Sequence, residues 1–194
     1  MDLGINYEQA NKLLDEYIKD PIVKLHCLES EAIMRDLAKH FGENEDEWGI
    51  IGLLHDIDWD LTKNDTAEHC IKAQEILRQA GATDYLIESV ISHCYGHEFS
   101  PKLKDLKRST KVQYCLVAAE TLTGLIIASA LIMPDKKLSG LSLESLQKKF
   151  KNLKFAAKCD RELIKECELA GIPLAEFLAL GLKALQNISD KLGL

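Results

Sequence analysis

Apolar residues recur along most of the chain at intervals of three and four, the spacing that turns one face of an α-helix toward a core. Asn6 with Gln9 three residues later has the form of a capping box. Ala10, Leu13, Leu14, Tyr17 and Ile18 then make one stripe, which Pro21 interrupts. A second helix is predicted from about Ile22 to His40, with Gly42 just past its end. The stretch Asp46–His55 predicts a short, apolar third helix. Thr66 is the expected cap of a fourth that Gly81 closes, and Thr83 of a fifth reaching about Cys94.

A polar loop with Gly96 and Pro101 follows between Tyr95 and Leu106, then a long helix from about Thr110 to Ile132 that Pro134 stops. The remainder predicts helices over Ser142–Phe150 and Asp160–Leu169, and a last one with Pro173 in its first turn. No strand-like alternation persists beyond a few residues and no long repeat stands out. The expected fold is therefore all-α, a single domain of roughly eight or nine helices. Residues 1–134 are expected to form the core bundle, and residues 135–194 C-terminal helices that pack on the same domain.

Composition narrows the function classes. At 194 residues with 46% hydrophobic positions, the chain can bury one sizeable core. A net charge of −7 argues against a partner that is a nucleic-acid polymer or an anionic membrane, though not against a local basic pocket. The six cysteines (27, 70, 94, 115, 159 and 167) form no C-x-x-C pair and read as free, mostly buried thiols in a reducing, cytoplasmic setting. The opening MDLGINYEQANKLLDEY is acidic and amphipathic, unlike a secretory signal. The longest apolar stretch, Leu122 to Met133, is short for a membrane span.

The histidines bring in chemistry. His26 lies seven and eleven residues before Ile33 and Leu37, on the inward stripe of the second helix. His55-Asp56 ends the third helix, His69 is expected in the first turn of the fourth, and His93 falls near the end of the fifth. His40 and His97 look peripheral, but His97 follows His93 closely, so either can be the inward donor; helical placement favours His93. Buried imidazoles and carboxylates are costly unless paired. Helical bundles satisfy such groups by converging them on metals, and this nitrogen and oxygen set suits Fe, Mn, Ni or Zn. Glu120, alone in the apolar run CLVAAETLTGLIIA, needs a partner for the same reason.

The order His, His-Asp, His, His, carboxylate resembles the HD-domain superfamily of metal-dependent phosphohydrolases, over roughly residues 20–130, and AAETLTGLI is similar to the last ligand helix of its small bacterial and archaeal members. The resemblance implies an all-helical HD-type bundle and one or two divalent transition metals. The implied metal ligands are His26, His55, Asp56, His69, His93 and Glu120, with Asp56 bridging two metals. His69 and His93 occupy the places that mark the binuclear branch. Two residues depart from the pattern: Glu120 replaces the usual aspartate, and Asp58 replaces the glycine of HDIG. Asp58 is then placed to orient a water or a ligand imidazole, and Lys63 to meet a substrate phosphate. Asp60 and Asp65 read as turn residues, and the basic run KKFKNLKFAAK as a solvated face. The implied activity is hydrolysis of a small, nucleotide-like phosphate ester by metal-activated water. Two alternatives stay open: a diiron oxygenase resembling myo-inositol oxygenase, and a non-catalytic, metal-binding regulatory module suggested by the two departures. Nothing in the sequence sets the oligomeric state.

Overall fold

The computed structural model describes residues 2–194. Among the described residues there are eleven α-helices, four short 3-10 turns and no strand. Helix α1 (Tyr7–Tyr17) carries the expected capping box: Gln9 N–H donates to Asn6 Oδ1 and Asn6 N–H to Gln9 Oε1, both at 2.9 Å. Helix α2 (Pro21–Phe41) starts with proline in its first turn and ends at Gly42, whose left-handed φ of 69° closes it. Helix α3 (Glu45–Leu54) is capped by Asn44, and three acidic residues in its first turn favour the positive end of its dipole.

The next segment departs from the expected fourth helix. Thr66 opens only a 3-10 turn, Thr66–Glu68, and α5 (Ile71–Gln79) starts after it. His69 is extended and Cys70 left-handed, with φ of 66°, so the chain bends sharply between the two. His69 therefore precedes the helix instead of lying in its first turn. The orphan amide of Ala73 in α5 is satisfied from a distance, by Asp58 Oδ2 at 2.9 Å, which replaces the local cap that Thr66 was expected to give. A one-turn helix, α4 (Trp59–Thr62), also forms within the expected loop.

Helix α6 (Asp84–Ile91) ends in the 3-10 turn Ser92–Cys94, and α7 (Lys111–Leu131) is the long apolar helix. The C-terminal part comprises α8 (Leu143–Lys151), α9 (Arg161–Lys165), α10 (Leu174–Asn187) and α11 (Ser189–Leu192). Pro173 is the N-cap of α10, one place before the expected first-turn position. The element count exceeds the expectation because α9 and its following 3-10 turn, the doublet loop and the C-terminal helix each break into shorter pieces.

Helices α2 and α7 organise the rest. Helix α3 packs along α2, while α10 lies across both α2 and α7, and α8 and α9 pack on α7. By length and composition α7 alone, among the described residues, could cross a membrane; 67% of its most apolar window is buried in the fold, as in a core helix. At the α10 crossing, a Cβ on Gly181 would stand 2.6 Å from Leu122 Cδ2, so α10 packs there directly on the leucine side chain of α7.

Candidate metal centre

Close packing of α2 on α3 brings the first donors together. A Cβ on Gly52 would lie 2.8 Å from Ser30 O and 3.0 Å from Glu31 Cα, so only glycine allows this approach. It sets His55 and Asp56, at the end of α3, opposite His26 on α2. His69 arrives from the bend before α5 and His93 from the 3-10 turn after α6.

Each imidazole has its Nδ1 already engaged. His55 Nδ1 donates to Gly52 O at 2.8 Å and His93 Nδ1 to Val90 O at 2.7 Å. His69 Nδ1 donates to Asp58 Oδ1 at 2.7 Å. Thr123 gives its hydroxyl proton to Glu120 O, so its oxygen accepts from His26 Nδ1 at 3.0 Å. The hydrogen-bond network thus places the proton of every neutral ring on Nδ1 and leaves Nε2 as a bare lone pair.

Those lone pairs converge on the two oxygens of Asp56. On one side, His26 Nε2 and His55 Nε2 are 3.0 Å apart and stand 3.9 and 3.6 Å from Asp56 Oδ2. On the other, His69 Nε2 and His93 Nε2 are 3.2 Å apart and stand 3.4 and 3.5 Å from Asp56 Oδ1. Bare nitrogens this close repel one another unless a cation sits among them. Donors bound at about 2.0–2.2 Å, as at zinc, lie about 3.0–3.6 Å from each other around the metal. Both triangles approach that size, so the residues fit divalent metal, with one oxygen of Asp56 in each triangle.

The electrostatics divide the donors into two halves. Burial pulls His55 down to about 3 and also lowers His26, so both rings are neutral. Burial alone would raise Asp56, but the surrounding imidazoles outweigh it and hold the carboxylate well below its usual range. Burial lowers His69, while hydrogen bonds to Asp56 and Asp58 prevail and push it up to about 12, so in the metal-free protein this ring keeps a proton on Nε2 that a cation has to displace. Asp58 is wholly buried between His69 and Ala73, where it orients a ligand imidazole; it does not rim the pocket.

A cavity of about 580 Å³ opens onto this centre, walled by Trp59, Phe99, Thr121, Glu120 and Lys158 beside the donors. Glu120 reaches the cavity but belongs to neither cluster of donors lying within 4.8 Å of one another. Burial raises it to about 7, and Thr121 Oγ1 donates to its Oε1 at 2.7 Å. His97 lines the same cavity, stacked on Phe99 with ring centroids 5.0 Å apart, while His93 stands in the donor set.

Lys63 corrects the sequence expectation. Its ammonium donates to Asp60 Oδ1 at 2.9 Å, and the other Asp60 oxygen accepts the Lys19 and Asp20 amides at 2.6 and 2.9 Å. That anchor ties the end of α1 to α4 and keeps Lys63 in a separate groove with Tyr17 and Leu61. The cation at the cavity is instead Lys158, from the basic run expected to be a solvated face. Its loop is fixed by Arg161, which is buried and donates to the carbonyls of Phe150, Phe155, Ala156 and Cys159.

Two further residues were not among the expected donors. Cys70 and Cys94 join His69 and His93 in one buried cluster. Their sequence signal is the twice-used doublet His-Cys, at 69–70 and 93–94, easily read as histidine followed by a core residue. Arg108 steadies the second doublet: its Nη1 donates to Ser92 O and Tyr95 O, each at 2.9 Å, and Glu166 holds the same guanidinium through two bonds of 2.6 Å.

Compared with protein families, residues 23–129, more than half of the chain, match the HD domain. No curated protein and no solved structure matches the chain.

Proposed function

Because the chain belongs to the HD domain family, we propose that it hydrolyses a small phosphate ester at a two-metal centre. The observation that carries this reading is the pair of donor triangles meeting on Asp56. His26 and His55 would hold one metal and His69 and His93 the other. When bound, such metals lower the pKa of water toward about 7 and clamp the attacking and leaving oxygens of a displacement at phosphorus. The chain itself positions and selects. Asp58 and the backbone carbonyls of Gly52 and Val90 keep the imidazole lone pairs aimed inward. Lys158 lies where a phosphoryl group entering the cavity meets a positive charge, and Trp59 and Phe99 offer apolar walls for a planar or aliphatic remainder. Glu120, raised to about 7 by burial, is poised to exchange a proton at the cavity wall near neutral pH.

The size of the cavity and the net charge of −7 favour a nucleotide-sized molecule over a nucleic-acid polymer or a membrane. Six free thiols suit a reducing, cytoplasmic setting. The test is phosphate release from a panel of nucleotides and small phosphomonoesters after anaerobic reconstitution with Mn, Ni, Fe or Zn. Turnover by the wild type that Asp56→Asn abolishes is expected. Oxygen consumption with ferrous iron and no phosphate release would instead identify an oxygenase. Tight metal binding with no turnover of any kind would identify a binding module.

A further inference from the structure

The second half of the centre contains more donors than the two-metal scheme uses. Behind His69 and His93 stand the thiols of Cys70 and Cys94, both with no exposed surface and neither lining the cavity. Cys94 Sγ lies 3.6 Å and Cys70 Sγ 3.7 Å from His93 Nε2, which is itself 3.2 Å from His69 Nε2. The two sulfurs are 2.8 Å apart. One donor atom from each of the four residues falls within 4.8 Å of the others. Zinc with bonds of about 2.0–2.1 Å to nitrogen and 2.3 Å to sulfur spaces its tetrahedral donors roughly 3.3–3.8 Å apart. The three distances to His93 Nε2 are close to that spacing, and the sulfur pair has to spread to reach it.

The backbone points the same way. Cys70 is held left-handed, at φ of 66°, a conformation that a buried non-glycine residue adopts only when its surroundings impose it. That bend sends the thiol toward His93 while the preceding residue presents its imidazole to the same point. Arg108 supports the other doublet by binding the carbonyls on either side of it, at Ser92 and Tyr95. Two separate His-Cys doublets are thus each fixed by a specific backbone device, and their four donor atoms meet.

We propose that His69, Cys70, His93 and Cys94 form a four-donor nitrogen and sulfur site for a thiophilic divalent cation of the zinc type. The inference rests on the two-metal reading for its two imidazoles, and it is independent of the reaction. A cation held through His69 and His93 thus gains both thiols as further donors behind it, while the two imidazoles stay at the cavity wall. The cation replaces the two thiol protons, which leave to solvent. Soft donors then favour zinc over manganese or magnesium in this half of the centre, while the His26, His55 and Asp56 half retains nitrogen and oxygen donors only.

The experiment is X-ray absorption spectroscopy on the full-length, reduced protein, stripped of metal and loaded with one equivalent of zinc. A sulfur shell at about 2.3 Å beside a nitrogen shell is expected. It is expected to disappear in Cys70→Ser/Cys94→Ser and to persist in Cys115→Ser. Zinc affinity in the double variant is expected to fall by more than the about 10–100-fold that loss of an outer-shell partner costs. A wild-type spectrum with nitrogen and oxygen shells alone overturns the sulfur site and leaves the hydrolase reading standing. A protein that takes up no zinc overturns both. Because the decisive spectrum is that of the wild type, a double variant that failed to fold would not rescue the proposal.

Discussion

Asp58 shows how one side chain serves both folding and chemistry. Its Oδ1 fixes the tautomer of His69 and its Oδ2 caps the start of α5 through Ala73 N–H, with no exposed surface of its own. Asparagine keeps the shape but cannot accept at both atoms. Asp58→Asn is therefore expected to weaken metal binding by about 10–100-fold, by calorimetric titration. It should also cost about 1–3 kcal/mol in urea unfolding of the metal-free chain. Glu29 gives a pH prediction. It is 7% exposed, and burial raises it to about 8. The folded state thus holds this proton more tightly than the unfolded chain. Its contribution to stability falls as pH rises from about 4.5 to 8, by at most about 1.4 kcal/mol per pH unit, and is level above that. In the metal-free protein Glu29→Gln is expected to match the wild type near pH 4.5 and to exceed it in stability at pH 9; equal stability at both would contradict the assignment. At this scale the sequence was most legible where periodicity applies. His26 falls on a stripe with Ile33 and Leu37, and His55-Asp56 ends an apolar helix. Cys70 and Cys94 were not legible, since a cysteine among apolar residues reads as core whichever atom it faces. Lys63 misled because position in a loop carries no direction, and Asp60 turns it away from the cavity.

At the scale of elements, the site depends on how closely two helices approach and on how one turn is held. Gly52→Ala pushes a methyl group into the backbone of Ser30 and Glu31. A loss of about 1–3 kcal/mol is expected from the overpacking. Metal affinity should fall at the His26 and His55 half, which metal titration of the folded variant measures. Arg108→Ala leaves Glu166 without its partner and frees the carbonyls of Ser92 and Tyr95. The expected cost is about 3 kcal/mol by denaturant unfolding, as for other ion pairs shielded from water. Local capping signals located most helices well: Asn6, Gly42 and Thr83 act where the sequence placed them. The break at His69-Cys70 was invisible because its cause, Asp58 capping α5, joins residues fifteen apart in the chain.

Over the whole molecule, the cavity is completed by residues far outside the segment that matches the family. Lys158, Cys159 and Asp160 line it, and Arg161 fixes their loop, so the C-terminal helices contribute to the site as well as covering α2 and α7. Composition and periodicity gave no sign of this, since a basic run looks the same whether it faces water or a substrate. The donors come from four separate places along the chain, and metal binding therefore ties the bundle together. Each site filled at a free metal concentration 100 times its dissociation constant adds about 2.7 kcal/mol, and chelation should lower the melting temperature in scanning calorimetry accordingly. The central claim, a pair of metals held on either side of Asp56, is tested most directly by elemental analysis of protein purified without chelators and reconstituted to saturation, beside His69→Ala. Two metals per wild-type chain, falling to one in the variant, is the predicted result. A wild type that takes up no metal, or a variant with undiminished occupancy, would contradict it.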